Sequence, residues 1–164
     1  MKKILLLVFA LLLFQTASLI AQDITLPPLS TLKTQQDLDR TSEDLVKAAN
    51  WLEQNPLITA MDKRKEVERF VFMWISASKK VNVEMNSKIL SLDDKNPGLV
   101  MVYTAAAARY LINNKSADTK AGQLAALKTV SNMYKTSTGI HKDKNLDELV
   151  KAEKKGKIME WVNH

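Results

Sequence analysis

LVMVYTAAAARYLI, residues 99–112, is the stretch on which the fold turns, because only Thr104 and Arg109 in it are clearly polar. A helix that is apolar all round is either enclosed by other elements or placed in a membrane. Fourteen residues at 1.5 Å each reach about 21 Å, short of a hydrocarbon layer of about 30 Å. The segment therefore reads as the central core helix of a folded unit. Ala105, Ala106, Ala107 and Ala108 carry almost no side chain, which lets neighbouring helices approach closely.

Helical patterns flank this segment on both sides. Thr34 and Asp37 have capping-box spacing, and Leu38, Leu45, Ala49 and Leu52 recur on one helical face. Asn55-Pro56 ends that helix, because the residue before proline is pushed out of the α region. Thr59 and Asp62 repeat the cap spacing ahead of a helix with Val67, Phe70, Val71 and Trp74 on one side. A polar break at 76–82 precedes a short helix expected over 83–92. Asn96-Pro97 is then placed to open the central helix, with Asn as cap and Pro at the first helical position. Downstream, 119–135 presents Leu124, Leu127, Val130 and Tyr134. The stretch 145–155 presents Leu146, Leu149 and Val150 and stops at Gly156; a last turn holds Ile158, Trp161 and Val162.

No run sustains a period of two, so the expected fold class is all-α: a compact unit of about six helices around the central one. Two Asn-Pro dipeptides lie 41 residues apart, but the segments after them barely match, so 34–164 is read as one domain rather than a repeat. Residues 22–33 contain Pro27 and Pro28 without helical period and read as an extended leader.

Residues 1–21, MKKILLLVFALLLFQTASLIA, have the layout of an export signal: Lys2 and Lys3, eleven apolar residues from Ile4, then a polar and small-residue stretch ending at Ala21. Release into the periplasm or outside the cell is expected, with no stable membrane anchor after cleavage. The chain contains no cysteine, which excludes an acylated-cysteine anchor, a disulfide framework and thiol catalysis. Without Lys2 and Lys3, twenty-two basic side chains face eighteen acidic ones, a charge of +4. Lysines are scattered among acids instead of gathered into a stripe: even the richest basic stretch, 151–157, lies within 141–164, where six lysines meet five acids, so nucleic acid is not an expected partner.

The chemistry of catalysis finds little support. The two histidines are His141, in a loop, and the terminal His164, and neither has triad or zinc spacing. Four dispersed glycines build no phosphate cradle. Asp143, Asn145 and Asp147 resemble the first half of a calcium-binding EF-hand. Glu148 stands where that loop needs glycine, however, and Lys154 where it needs a bidentate acid. No metal and no cofactor are expected. Asp93-Asp94 and Asp147-Glu148 are adjacent pairs of a kind that normally cap helices or face solvent; glycoside hydrolysis requires two acids across a cleft.

Two features break local rules and are the candidate binding residues. Arg109 falls on the line of Val102 within the core helix, where an ion pair to an acid such as Glu66 or Glu84 is expected, with an anion site as the alternative. Phe72 and Met73 point away from the stripe of Val67, Phe70, Val71 and Trp74. Either a second layer sandwiches their helix, which is the expectation in a compact unit, or they form a patch for a partner. The leading functional expectation is an exported, non-enzymatic helical binding or accessory protein engaging an unknown protein or envelope component. A small hydrolase with converging carboxylates is the alternative, and a chaperone-like envelope protein, suggested by Met85, Met101 and Met133, is a third. Intact-mass measurement on protein recovered from the envelope should give a chain beginning at Gln22, open or cyclised. A mass retaining Met1, with fractionation into the membrane, would overturn export with release.

Overall fold

The computed structural model describes residues 24–163; the expected signal at 1–21, the first two leader residues Gln22 and Asp23, and the terminal His164 lie outside them. Among the described residues the chain is all-helical, with eight α-helices. They are α1 (Gln35–Arg40), α2 (Ser42–Gln54), α3 (Met61–Ala77), α4 (Ser87–Leu90), α5 (Leu99–Asn113), α6 (Thr119–Thr136), α7 (Lys144–Lys154) and α8 (Ile158–Val162). Single 3-10 turns occur at Leu29–Thr31 and Ser91–Asp93.

The apolar segment at 99–112 is the centre of this arrangement. Leu99, Val102, Tyr103, the four alanines 105–108 and Leu111 are buried, and none of residues 99–112 is fully exposed. Helices α6 and α2 pack along α5 most extensively, and α3 and the Ser91–Asp93 turn complete the cover. Small side chains set the closeness of the α5–α6 contact. A Cβ built on Gly122 of α6 would stand 3.2 Å from the Leu111 side chain and 3.4 Å from the Ala107 carbonyl oxygen. Added methylenes at such a seam meet packed atoms and cost roughly 1–3 kcal/mol. The outer helices α7 and α8 close the far side through Leu146, Leu149, Ile158 and Val162. Tyr134 of α6 donates to Asp147 of α7 at 2.8 Å.

Several helix starts differ from the sequence expectation, each for a traceable reason. The capping box of Thr34 and Asp37 forms on α1. At α3 the cap is Ala60, in the left-handed region at φ 48°, while the Thr59 hydroxyl turns back to donate to the Pro56 carbonyl at 3.0 Å. At α5 neither Asn96 nor Pro97 serves. Asn96 is buried and clamps the backbone of His141, accepting from its N–H at 2.6 Å and donating to its carbonyl at 3.0 Å. Gly98 is the cap residue, at φ 101°, and Asp93 supplies the side-chain acceptor, taking the Val100 N–H at 2.7 Å. The expected helix over 83–92 shrinks to α4, capped by Asn86, which accepts from the Ile89 N–H. Before it, Val81 and Val83 turn inward between exposed Asn82 and Glu84, an alternation that suits extended chain. The leader at 24–33 packs on the helices instead of standing off from them, with Ile24 and Leu32 buried in the common core.

The buried guanidinium belongs to Arg64, not to Arg109. Arg64 is 3% exposed; its Nη2 donates to the carbonyls of Leu52 at 3.2 Å and Asn55 at 2.6 Å. Those carbonyls close the C-terminal end of α2, where Pro56 prevents another turn and backbone acceptors are left over. The guanidinium also lies 5.8 Å from the centre of the Trp51 ring, within cation–π range. Its Nη1 faces Glu68 Oε1 at 3.5 Å, an ion pair without a hydrogen bond.

Burial pushes the Glu68 carboxyl above its ordinary value; Arg64 opposes this and the charge of Asp93 adds to it. A raised carboxyl is less favourable ionised in the folded protein than in the unfolded chain. Its contribution to stability is therefore present at acid pH and lost as the pH rises through the folded pKa. Urea denaturation of the wild type and Glu68→Gln at about pH 4 and about pH 7 isolates this effect. The variant should gain stability relative to the wild type on going to the higher pH. A constant difference would mean that Glu68 titrates as a solvated acid.

Candidate functional site

The 3.6-residue period of α3 turns Val67, Phe70, Val71 and Trp74 into the core, each at most 2% exposed. On the opposite side Phe72 is 58% and Met73 42% exposed. The expected second layer is therefore absent among the described residues: no helix covers Phe72 and Met73, because the helices that follow α3 return to enclose α5. Lys65 and Arg69 precede Phe72 by seven and three residues and share its face. Along the same face runs the leader. Leu26, Pro27, Pro28 and Leu29 meet Lys65, Glu66, Arg69 and Phe70 around a groove of about 340 Å³. Leu26 and Leu29 rest on the core, so the proline pair forms a rigid wall of this groove.

Arg109 sits near the end of α5, where that helix passes α2. Its Nη2 pairs with Glu53 Oε2 at 2.7 Å, and its Nη1 donates to Asn50 Oδ1. Asn50 and Glu53 lie one turn apart on α2 and grip the guanidinium from one side. Glu66 and Glu84, the acids expected, are engaged elsewhere: Glu66 pairs with Lys63 at 3.0 Å, and Glu84 accepts from the Thr119 hydroxyl at 2.8 Å. The partner follows from which helix lies alongside α5, and that is α2. The Arg109 and Glu53 side chains keep 21% and 27% of their exposure, so water still reaches the pair.

A larger groove of about 490 Å³ opens where α1, the end of α3 and the end of α5 converge. Trp74, Val81, Leu111 and Ile112 form its apolar surface, and Asp39, Lys80 and Lys115 stand among its polar residues. Hydrogen bonds from Lys80 and Gln35 hold the Asp39 carboxyl below its ordinary value. A third groove, about 340 Å³, lies between Glu84, Met85, Lys120, Gln123 and Met159. Each of these three grooves contains one carboxylate: Glu66, Asp39 and Glu84 respectively. None of the three offers the facing pair of acids that glycoside hydrolysis requires.

The other residues singled out in the sequence have structural duties. Asp143 caps α7, accepting from the N–H groups of Asn145 and Leu146, and Asp147 accepts from Tyr134. Among the described residues no group of three or more His, Cys, Asp or Glu side chains could hold a metal ion. Also among them, no helix is long and apolar enough to cross a membrane. No protein-family model, curated protein or solved structure matches this chain.

The partial exposure of the Arg109–Glu53 pair decides its energetic weight. Truncating one member of a fully buried pair costs roughly 3–5 kcal/mol, whereas exposed pairs contribute about 0–1 kcal/mol. Arg109→Ala should fall near the lower range, at about 1 kcal/mol by urea denaturation, and a double-mutant cycle with Glu53→Gln should give a coupling of similar size. A loss above about 3 kcal/mol would mean that the pair is shielded from water.

Proposed function

We propose that this chain is an exported, non-enzymatic binding protein of the cell envelope that engages a protein partner through the outer face of α3. The observation that carries the reading is the side-by-side exposure of Phe72 and Met73 on a helix whose opposite stripe is fully buried. Full burial of each such side chain is worth about 1.5–3 kcal/mol, and the fold leaves much of that unrealised. Phenylalanine and methionine beside arginine is also the composition of interface centres. Lys65 and Arg69 on the same face favour a partner surface whose apolar centre is rimmed by acids. Export, to the periplasm or beyond, rests on residues 1–21 alone.

The hydrolase reading is weaker because the three grooves each hold a single acid. The chaperone-like reading loses its methionine set: Met133 is 2% exposed and Met101 is half-buried, so of the three only Met85 is available to a client.

The deciding experiment is affinity capture from envelope extract with the wild type and the Phe72→Asp/Met73→Asp double variant, both checked for native circular dichroism. A partner recovered by the wild type should fall at least about tenfold with the variant, the loss expected when an apolar hot spot is removed. Charge reversal at Lys65 and Arg69 should weaken the same partner. Equal recovery by wild type and double variant would move the interface off α3.

A further inference from the structure

We infer that the groove bounded by α1, the end of α3 and the end of α5 is a binding site for a small amphiphilic anion, an apolar chain or ring that carries one carboxylate. This goes beyond the partner face on α3 and stands on separate residues.

The dimensions suit a small molecule. About 490 Å³ lies within the usual range of 300–1,000 Å³ for such sites. The apolar surface that stays open in it comes from half-buried Val81 and Ile112, set over the buried Trp74 and Leu111, and it can take an apolar body but cannot orient it. The polar wall is largely spent on itself. Gln35 donates to Asp39 and accepts from the Lys79 N–H, both at 2.9 Å, while Lys80 pairs with Asp39 at 2.7 Å. A neutral polar ligand would have to break these contacts to gain its own.

Lys115 is the exception. It stands at the groove in the left-handed region, at φ 47°, where the chain leaves α5. The turn is the usual one that ends a helix: the Ser116 N–H bonds the Leu111 carbonyl at 3.0 Å and the Lys115 N–H the Ile112 carbonyl at 3.1 Å. Glycine is the residue that such a position favours. A lysine there carries backbone strain, and no ion pair among the described residues accounts for its ammonium. With Lys80 on the opposite wall, Lys115 places positive charge beside an apolar groove whose only carboxylate is already paired. A carboxylate on an apolar body complements that arrangement: the body covers Val81 and Ile112 and the head meets Lys115.

Isothermal titration of the whole protein with decanoate and with decanol tests the assignment. Decanoate should bind at submillimolar concentration and at least about tenfold more tightly than decanol, the gain from one charge-assisted contact. Lys115→Met keeps the stem and removes the charge; it should erase the carboxylate preference and leave decanol binding intact. Lys115→Gly should erase the preference too, while its thermal midpoint rises by a few degrees because the left-handed strain is relieved. Ala117→Trp, which fills the groove from an exposed position, should abolish binding of both. Equal affinity for decanoate and decanol, a preference that survives Lys115→Met, binding unaffected by Ala117→Trp, or no binding of either at millimolar concentration would each overturn the assignment.

Discussion

No residue of helix α5 between Leu99 and Ile112 is more than partly exposed, and the rest of the chain is arranged to satisfy that condition. An ordinary surface helix needs one apolar neighbour; this one needs neighbours around its whole circumference. Covering it takes α2 and α3 from the first half of the chain and α6 from the second, so both halves share one core. The alanines at 105–108 and Gly122 then decide how tightly the cover fits, because backbone approaches backbone where side chains are absent. The N-terminal leader joins the same core through Ile24 and Leu32.

Covering α5 also forces polar groups inward, and the two arginines illustrate how differently that can end. The α2–α3 corner must be tight for both helices to reach α5, and Pro56 stops α2 with unpaired carbonyls facing the corner. Arg64 fills it with a planar donor that serves two carbonyls at once, a task for which the rigid guanidinium fork is suited. Arg109 lies at the edge of the α2–α5 contact, where its stem covers apolar surface and its head stays partly wet. The helical wheel singled out Arg109 because it interrupts an apolar helix. It gave no reason to single out Arg64, which sits in a charged run of five, Asp62 to Glu66. Only the corner geometry distinguishes it from its neighbours.

The same division explains what could be read in advance. Periodicity located every long helix, because the apolar stripe is a local consequence of one buried face. The Thr34–Asp37 box was legible for the same reason: donor and acceptor are three residues apart. Thr59 and Asn96 carried the right residue types, but a cap residue is interchangeable with any other use for its side chain. Asn96 is claimed by a backbone 45 residues away, and no short-range rule could weigh that competition. Phe72 and Met73 were legible as residues that one stripe could not bury. Whether another layer would reach them was a question about the whole topology.

The large groove was illegible because its walls come from three separated stretches of chain, 35–42, 74–81 and 111–117, and its most telling residue looks ordinary in sequence. Lys115 follows Asn114, so a reader looking for a helix stop would assign the left-handed position to Asn114, the residue type that tolerates it better. Instead Asn114 keeps a right-handed geometry and its side chain donates to the Tyr110 carbonyl, which passes the left-handed turn to the lysine. Trp74, on the groove, follows Phe72 by two residues, about 200° around α3. The residue that offers an apolar surface to the groove and the residue that faces solvent are thus consecutive products of one helical period. Because α5 can be covered by one side of α3 only, the fold that buries Trp74 necessarily leaves Phe72 outside.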